Sequence, residues 1–199
     1  QMCIRDRLTP LRPNNAQMIL SFFVAGMAAG TLIVGPLSDS FGRKPIIYYG
    51  ASLYIFTSAV CVLSPSLEVI LISRFLQGVG ASAPRVVAQA LVRDFYKGRE
   101  MARISSFIMI IFALVPAIAP LLGSFVMLAF NWRFIFLMFI AFVAASTMWM
   151  AFRIDESVTK EKRIEFNLKQ VGLAFKEVLS SQMILTSIIT LVFAYGILF

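Results

Sequence analysis

A polar segment between two apolar stretches has a spacing that suggests a functional unit. The sequence GPLSDSFGRKP begins at Gly35 and places the carboxylate of Asp39 close to the cations of Arg43 and Lys44. Gly42 is able to take the positive φ of a tight turn, and Gly35 permits close approach of a second helix. A charged hairpin at a membrane edge would explain the cations alone, but not the spacing G-x-x-x-D-x-x-G-R-K. We therefore predict that these five residues act together.

Two arginines lie in an otherwise apolar stretch. Arg74 and Arg85 are separated by about three helical turns plus 20°, so a helix would place them on one face, with Gln77 and Gly78 in the same arc. An arginine in hydrocarbon costs about 2.5–3.5 kcal/mol on insertion scales, and it normally faces a cavity or a partner. The alternative is snorkelling, with Arg74 reaching the outer interface and Arg85 the inner one. We predict that this face lines a cavity, and the snorkelling alternative stays open for Arg85.

A third motif, ALVPAIAPLLGS, begins at Ala113 and holds Pro116, Ala119, Pro120 and Gly123. Proline removes a backbone donor from a helix, and glycine lets neighbouring helices come close. The motif therefore predicts a bent helix that packs closely and flexes.

The composition restricts the elements that position these residues. Of the 199 residues, 59% are hydrophobic and only 14% are charged, against roughly 45–50% apolar and 25% charged in a soluble domain. This composition excludes a soluble enzyme, a disordered tail and a nucleic-acid-binding domain. There is no histidine, and Cys3 and Cys61 are too few for a disulfide scaffold or a metal site. We therefore predict neither catalytic residues nor a metal or other cofactor.

Six apolar segments are long enough, or nearly so, to cross a bilayer core, which needs about 20 residues. Backbone groups in lipid must be satisfied within the segment, and no segment alternates like a barrel strand, so helices are predicted. The fold class is thus an all-α, polytopic helical membrane bundle. The predicted segments are Ala16–Leu37, Ile46–Leu63, Val69–Val92, Ile104–Phe130, Phe134–Phe152 and Met183–Phe199.

The loop charges predict the orientation of the chain in the membrane. Most of the 18 lysines and arginines fall in the alternate loops 43–44, 93–103 and 153–176, whereas the opposite side holds Arg12 and Arg133. Basic loops stay in the cytoplasm. The net charge of +8 is therefore interpreted as a topology signal in a multi-pass membrane protein, with anionic lipid beside it.

The chain is expected to be a fragment of a longer gene product. Residues 1–7, QMCIRDR, match one reading frame of a transposase adapter used in sequencing libraries, although a short basic start is the alternative. Residues 8–152 are predicted to form a transmembrane domain. Residues 153–182 are predicted to form a cytoplasmic amphipathic linker, lying on the membrane or packing as a soluble helix. Residues 183–199 are predicted to be a further, truncated transmembrane helix.

Together the motifs resemble those of major facilitator superfamily transporters. The spacing G-x-x-x-D-x-x-G-R-K is similar to the signature between that family's second and third helices, and R-x-x-Q-G at Arg74 to the fourth-helix motif of its antiporters. The A-P-x-x-G at 119–123 resembles their fifth-helix motif, although Val115, Ala119 and Ser124 stand where glycines are usual. With LVRDFY and NWRFIF, this form is similar to the bicyclomycin/chloramphenicol-resistance branch of drug–proton antiporters.

This resemblance implies a partial major facilitator fold that covers helices two to seven of twelve. Residues 8–152 would then be part of the N-terminal transmembrane half, and residues 183–199 the truncated first helix of the C-terminal half. It implies that Asp39 faces a helix N-terminus in the other half of the molecule, and that Asp39, Arg43 and Lys44 belong to a cytoplasmic gate. It also associates Arg74 with proton coupling. In the resembling branch a membrane-embedded acid lies in the first helix, which would precede this chain.

The predicted function is proton-coupled efflux of small amphipathic compounds by alternating access. The protein would act as a monomer in the lipid bilayer, with the proton as coupling ion and no nucleic-acid partner. It is not expected to be an enzyme. A uniporter or metabolite carrier on the same fold is the alternative within transport. A non-transporting membrane subunit or a membrane-embedded enzyme is the alternative of another class.

Overall fold

The computed structural model describes residues 14–64, 66–130 and 132–153, with four isolated positions between 180 and 190. In these ranges it forms helices and no strand, which confirms the predicted fold class. All of the helices named below lie in the first of two compact units of the chain. They are α1 (Asn14–Phe41), α2 (Arg43–Leu63), α3 (Leu67–Phe95), α4 (Gly98–Ala129) and α5 (Trp132–Arg153).

Each of the first five predicted segments lies within or almost within one helix, and most of the helices extend several residues beyond the apolar run. The segments predicted at 1–7 and 183–199, and the linker after Arg153, fall outside the continuously described residues. The extension of α1 changes the expected hairpin, because Asp39 is still helical and the turn consists of Gly42 alone. Gly42 has φ 106° and ψ 158°, so its predicted positive φ is confirmed.

Four of the described helices are long and apolar enough to cross a membrane. They are α1 from Gln17, α2, α4, and α5 from Arg133. The remaining helix, α3, has 29 residues, which at 1.5 Å per residue is about 43 Å and also enough to span. Its lower apolarity fits its position, since it packs between α1 and α2. The chain is therefore a multi-pass membrane protein.

Glycines bring α3 against the backbones of its two neighbours. A Cβ on Gly26 of α1 would lie 3.0 Å from Phe75 Cα, and one on Gly30 would lie 2.9 Å from Val79 Cα. On the opposite side of α3, a Cβ on Gly80 would lie 2.7 Å from the carbonyl oxygen of Gly50 in α2. Helices approach this closely only where the side chain is a hydrogen atom, so α3 is fixed between two helices by direct backbone contact.

Gly35 makes no close approach to another described helix, so the prediction that it supports such an approach stays a prediction. A Cβ on Gly35 would meet no atom within 4 Å among the described residues. The reason is angular: Gly35 follows Gly30 by five residues, which rotates it about 140° around α1 and away from α3.

The antiparallel pair α2 and α5 is connected at both ends by a cation. Lys44, in the first turn of α2, donates from Nζ to the carbonyl oxygen of Ala151 at 3.1 Å. Arg133, in the first turn of α5, donates from Nε to the carbonyl oxygen of Val62 at 2.9 Å. The last carbonyls of a helix lack intrahelical donors and attract positive charge. Each helix therefore provides a cation for the carboxyl end of the other.

Candidate functional site

One group of the predicted site residues assembles around Arg43, and we call Ser38, Asp39, Arg43 and Asp94 the Arg43 cluster. The Arg43 Nη1 atom lies 2.5 Å from Asp39 Oδ1 and donates to Ser38 Oγ at 2.6 Å. Arg43 Nε donates to Asp94 Oδ2 at 3.1 Å. The arginine side chain is only 12% exposed, whereas Asp39 is 44% and Asp94 31% exposed. The planar guanidinium thus holds two carboxylates whose outer surfaces stay accessible.

Helix ends create this cluster. Gly42 terminates α1, so Asp39 in its last turn and Arg43 at the start of α2 are four residues apart. Asp94 comes from the last turn of α3, which ends at Phe95 on the same side of the bundle. Asp94 was not among the predicted site residues, because only the parallel course of α1 and α3 brings it beside Arg43.

Two residues predicted in the same unit contact other parts of the bundle. Gly35 lies a turn before Asp39 on α1, with open space around it among the described residues. Lys44 donates to the carbonyl oxygen of Ala151 in α5. The prediction did not include a contact with this helix. Of the five signature residues, the structure therefore joins Asp39, Gly42 and Arg43 directly, and the role of the group in a gate stays a prediction.

A second group surrounds Arg74, and we call Phe23, Ser58, Arg74, Gln77 and Phe136 the Arg74 site. The guanidinium carbon lies 4.7 Å from the ring centre of Phe136 in α5 and 6.0 Å from that of Phe23 in α1. Both distances are within the range of cation–π attraction, which is stronger where water is excluded. Nη1 donates to Gln77 Oε1 at 3.2 Å. Nε is buried and has no hydrogen-bond partner among the described residues.

Gln77 connects this arginine to α2. Its side chain is fully buried, and its Nε2 donates to Ser58 Oγ at 2.7 Å. The next residue, Gly78, contacts α1 instead: a Cβ there would lie 2.8 Å from the amide nitrogen of Met27. Gln77 and Gly78 were both predicted to line a cavity, but Gly78 packs helix against helix and Gln77 lies inside the bundle.

Arg85 has a more open environment than Arg74. Its side chain is exposed, with Nη1 3.8 Å from the sulfur of Met27 in α1 and the guanidinium 5.8 Å from the ring centre of Phe112 in α4. Both arginines therefore contact α1, at Phe23 and Met27, which are one helical turn apart. Their predicted assignment to a transport cavity stays a prediction.

The proline motif lies on α4, which has no buried side chain in the described structure. Pro116 and Pro120 lie inside one continuous helix, and a Cβ on Gly123 would meet no described atom within 4 Å. Residues 112, 116, 119, 120 and 123 follow the helical repeat and share one face. The motif, including Ala119, is thus on the face whose Phe112 contacts Arg85.

The comparisons with known proteins agree with this arrangement. The model of the Major Facilitator Superfamily matches residues 11–199. The chain is 36% identical over 169 residues to an uncharacterized MFS-type transporter, YdgK, of Bacillus subtilis. It is 33% identical over 189 residues to a bicyclomycin resistance protein homolog of Haemophilus influenzae. It is also 41% identical over 128 residues to the multidrug resistance protein MdtL of Escherichia coli O157:H7.

The matched region is a large part of this chain but a minor part of each relative. The three alignments cover 81%, 94% and 63% of the chain and 42%, 47% and 33% of the respective relatives. The chain thus spans less than half the length of these proteins.

A solved structure gives the same fold. The crystal structure of the human organic anion transporter MFSD10 superposes with a TM-score of 0.64 at 20% identity. The superposition covers 77% of the chain and 35% of the human protein. The predicted resemblance to the bicyclomycin-resistance branch is confirmed by the Haemophilus relative. On the family match, the sequence relatives and the fold, this chain belongs to the Major Facilitator Superfamily.

Proposed function

We propose that this chain is part of a proton-coupled transporter that exports small amphipathic compounds by alternating access. The observation that carries the proposal is the Arg74 site. It holds a charged guanidinium inside the bundle, between the rings of Phe23 and Phe136, with Nε buried and without a described acceptor. The relatives named for bicyclomycin and multidrug resistance support drugs as the substrate class. Because the chain spans less than half of those relatives, this activity is proposed for the complete transporter.

Arg74 is a cation whose buried Nε atom lacks a described hydrogen-bond acceptor, so an anionic group would be a suitable partner. No carboxylate forms an ion pair with it among the described residues; the ion pairs there, with Asp39 and Asp94, belong to Arg43. A buried charge without a counterion is costly, and an acceptor that reaches Nε would stabilise it. We propose that this acceptor is an acidic side chain from a helix outside the described residues. Protonation of that acid would weaken its attraction to Arg74, and this change would couple proton movement to conformation.

The Arg43 cluster is proposed to form part of a cytoplasmic gate. Arg43 joins three helix ends, and Asp39 stays 44% exposed beside it. A carboxylate at a helix N-terminus gains roughly 0.3–1 kcal/mol, or up to about 2 kcal/mol when partly buried. The other half of a two-half transporter would offer such a terminus to Asp39. This stabilisation is large enough to bias two conformations of similar energy without locking either.

The proposed orientation places the Arg43 cluster in the cytoplasm of a bacterial cell, because the basic loops lie on its side. The complete protein would act as a monomer in the inner membrane. Rocking of its two halves would alternately expose a site between them. The substrate would enter from the cytoplasm, and protons would enter from outside.

The test uses the complete transporter that contains this chain, in an efflux-deficient bacterium and in inverted membrane vesicles. Ethidium, a fluorescent amphipathic cation, is the probe, and proton exchange is followed with a pH-sensitive dye. We expect ethidium efflux to stop when a protonophore collapses the gradient, and Arg74→Ala to abolish ethidium-dependent proton exchange.

Arg153→Ala is the matched control, since Arg153 is an exposed arginine at the end of α5. It should leave exchange unchanged. Efflux that persists without a proton gradient would refute proton coupling and favour the uniporter. Wild-type exchange in Arg74→Ala at equal expression would refute the role of Arg74.

A further inference from the structure

A series of buried hydrogen bonds connects Arg74 in α3 to the backbone of α2. Arg74 Nη1 donates to Gln77 Oε1 at 3.2 Å, and Gln77 Nε2 donates to Ser58 Oγ at 2.7 Å. Ser58 Oγ donates in turn to the carbonyl oxygen of Tyr54 at 2.7 Å. Gln77 and Ser58 are both fully buried, so water does not compete for these groups.

The direction of each hydrogen bond in this series follows from which groups can donate and which can accept. Arginine has donors only, so the atom of Gln77 that faces Arg74 must be the amide oxygen. The NH₂ group of Gln77 then points to Ser58, which must accept from it. A serine hydroxyl has a single proton, and here that proton goes to the carbonyl oxygen of Tyr54, which leaves lone pairs for Gln77.

We propose that Ser58 is a positioning residue that fixes the side-chain amide of Gln77 and, through it, the guanidinium of Arg74. This inference rests on the proposed function of Arg74 in proton coupling. Without the Ser58 acceptor, the NH₂ group of Gln77 is buried and unsatisfied, and this favours rotation of the amide. Rotation withdraws the oxygen from Arg74, and the guanidinium then loses its described hydrogen-bond acceptor.

Thr57, the adjacent residue, offers a matched control. It is also buried, but its hydroxyl donates only within α2, to the carbonyl oxygens of Leu53 and Tyr54. Thr57→Val removes a buried hydroxyl of the same helix and retains the shape of the side chain. A merely structural effect of losing a hydroxyl would thus appear in Thr57→Val as well as in Ser58→Ala.

The experiment measures the pH dependence of ethidium efflux by the complete transporter in proteoliposomes. The variants are Ser58→Ala, Ser58→Thr, Gln77→Ala, Arg74→Ala and Thr57→Val. We expect Ser58→Ala to shift the pH profile in the same direction as Gln77→Ala and to reduce the rate about tenfold, the lower end of the effect of losing a hydrogen bond to a charged group. Ser58→Thr should restore the profile because it retains the hydroxyl, and Thr57→Val should leave the profile of the wild type.

A double variant tests whether Ser58 acts through Gln77. If it does, the combined Ser58→Ala and Gln77→Ala variant matches Gln77→Ala alone, whereas independent effects multiply. Ser58→Cys retains a side chain of similar size with a weaker acceptor, and it should shift the pH profile in the same way as Ser58→Ala. It replaces Ser58→Ala in the experiment if that variant expresses poorly.

The outcomes separate this inference from the function on which it rests. A changed or abolished pH dependence in Arg74→Ala with a wild-type profile in Ser58→Ala and Ser58→Cys overturns the role of Ser58 alone. A double variant whose loss of rate is the product of the losses in the two single variants also overturns it. A wild-type profile in Arg74→Ala overturns the proposed function and this inference together.

Discussion

The contact between Gly80 in α3 and Gly50 in α2 allows a quantitative test of the fold. A Cβ on Gly80 would lie 2.7 Å from the carbonyl oxygen of Gly50 and 3.0 Å from the amide nitrogen of Tyr54. Because ordinary van der Waals contacts begin at about 3.4 Å, Gly80→Ala requires α2 and α3 to separate by roughly 0.7 Å. All of the opposing atoms are backbone atoms, so no rotamer change relieves the clash.

Two terms decide the size of the effect. Overpacking of this kind costs about 1–3 kcal/mol, whereas alanine is favoured over glycine within a helix by about 1 kcal/mol. Gly123→Ala on α4 is the control, since it has the same propensity gain and its added Cβ would meet no described atom within 4 Å. The difference between the two variants is therefore the overpacking term, about 1–3 kcal/mol of stability. A separation of 0.7 Å would also stretch the bond between Gln77 and Ser58, which is now 2.7 Å, beyond hydrogen-bond distance.

The assay is thermal denaturation of the purified complete transporter in detergent, followed by tryptophan fluorescence. We expect Gly80→Ala to denature at a lower temperature than the wild type or at about the same one, and Gly123→Ala at a higher temperature. Equal midpoints for the two variants would show that α2 and α3 do not meet at Gly80. That result would refute both the crossing and the argument from backbone contact.

Three further predictions concern charged and exposed groups. Asp94→Asn should destabilise the protein in detergent by about 1 kcal/mol, more than Asp39→Asn, because Asp94 is the less exposed carboxylate, at 31% against 44%, and exposed pairs contribute only about 0.2–1 kcal/mol. Arg133→Leu should lower the denaturation midpoint by leaving a helix-end carbonyl without its donor, and Arg133→Lys should recover most of the loss. In a chain without native cysteines, a cysteine at Ser66 should react with an impermeant thiol reagent in whole cells. A cysteine at Lys97 should react only after permeabilisation, and the reverse pattern would overturn the proposed orientation.

The apolar runs and glycines of the sequence were sufficient to predict most of the fold. Backbone groups in lipid have few ways to be satisfied, so an apolar run of sufficient length specifies a helix. The turn at Gly42 followed from the conformational freedom of glycine. Gly80 also has a readable signal, since it lies two residues after Gly78 and therefore on the opposite face of α3.

The contacts that build the two clusters could not be predicted in this way. Arg43 and Asp94 are separated by 51 residues, and Arg133 and the carbonyl of Val62 by 71. Such pairs depend on the axial register between helices, which an apolar run does not specify. The hydroxyl of Ser58 gives no sequence signal for its bond to Gln77, because many serines in helices bond their own backbone. The amphipathic linker, the adapter and the final apolar segment lie outside the described residues and stay predictions.

The glycine crossings give α3 the geometry of a lever. Backbone contacts at Phe75, Gly78, Val79 and Gly80 hold it against α1 and α2, and the middle of this section would act as the fulcrum. Arg74 is on the short arm, roughly 5 Å from that point at 1.5 Å per residue, and Asp94 is on the long arm, roughly 25 Å away on the other side. A small tilt would therefore move Asp94 about five times as far as Arg74, and in the opposite direction. A sub-ångström shift at Arg74 would thus become a visible displacement at the Arg43 cluster without any relay of side chains between them.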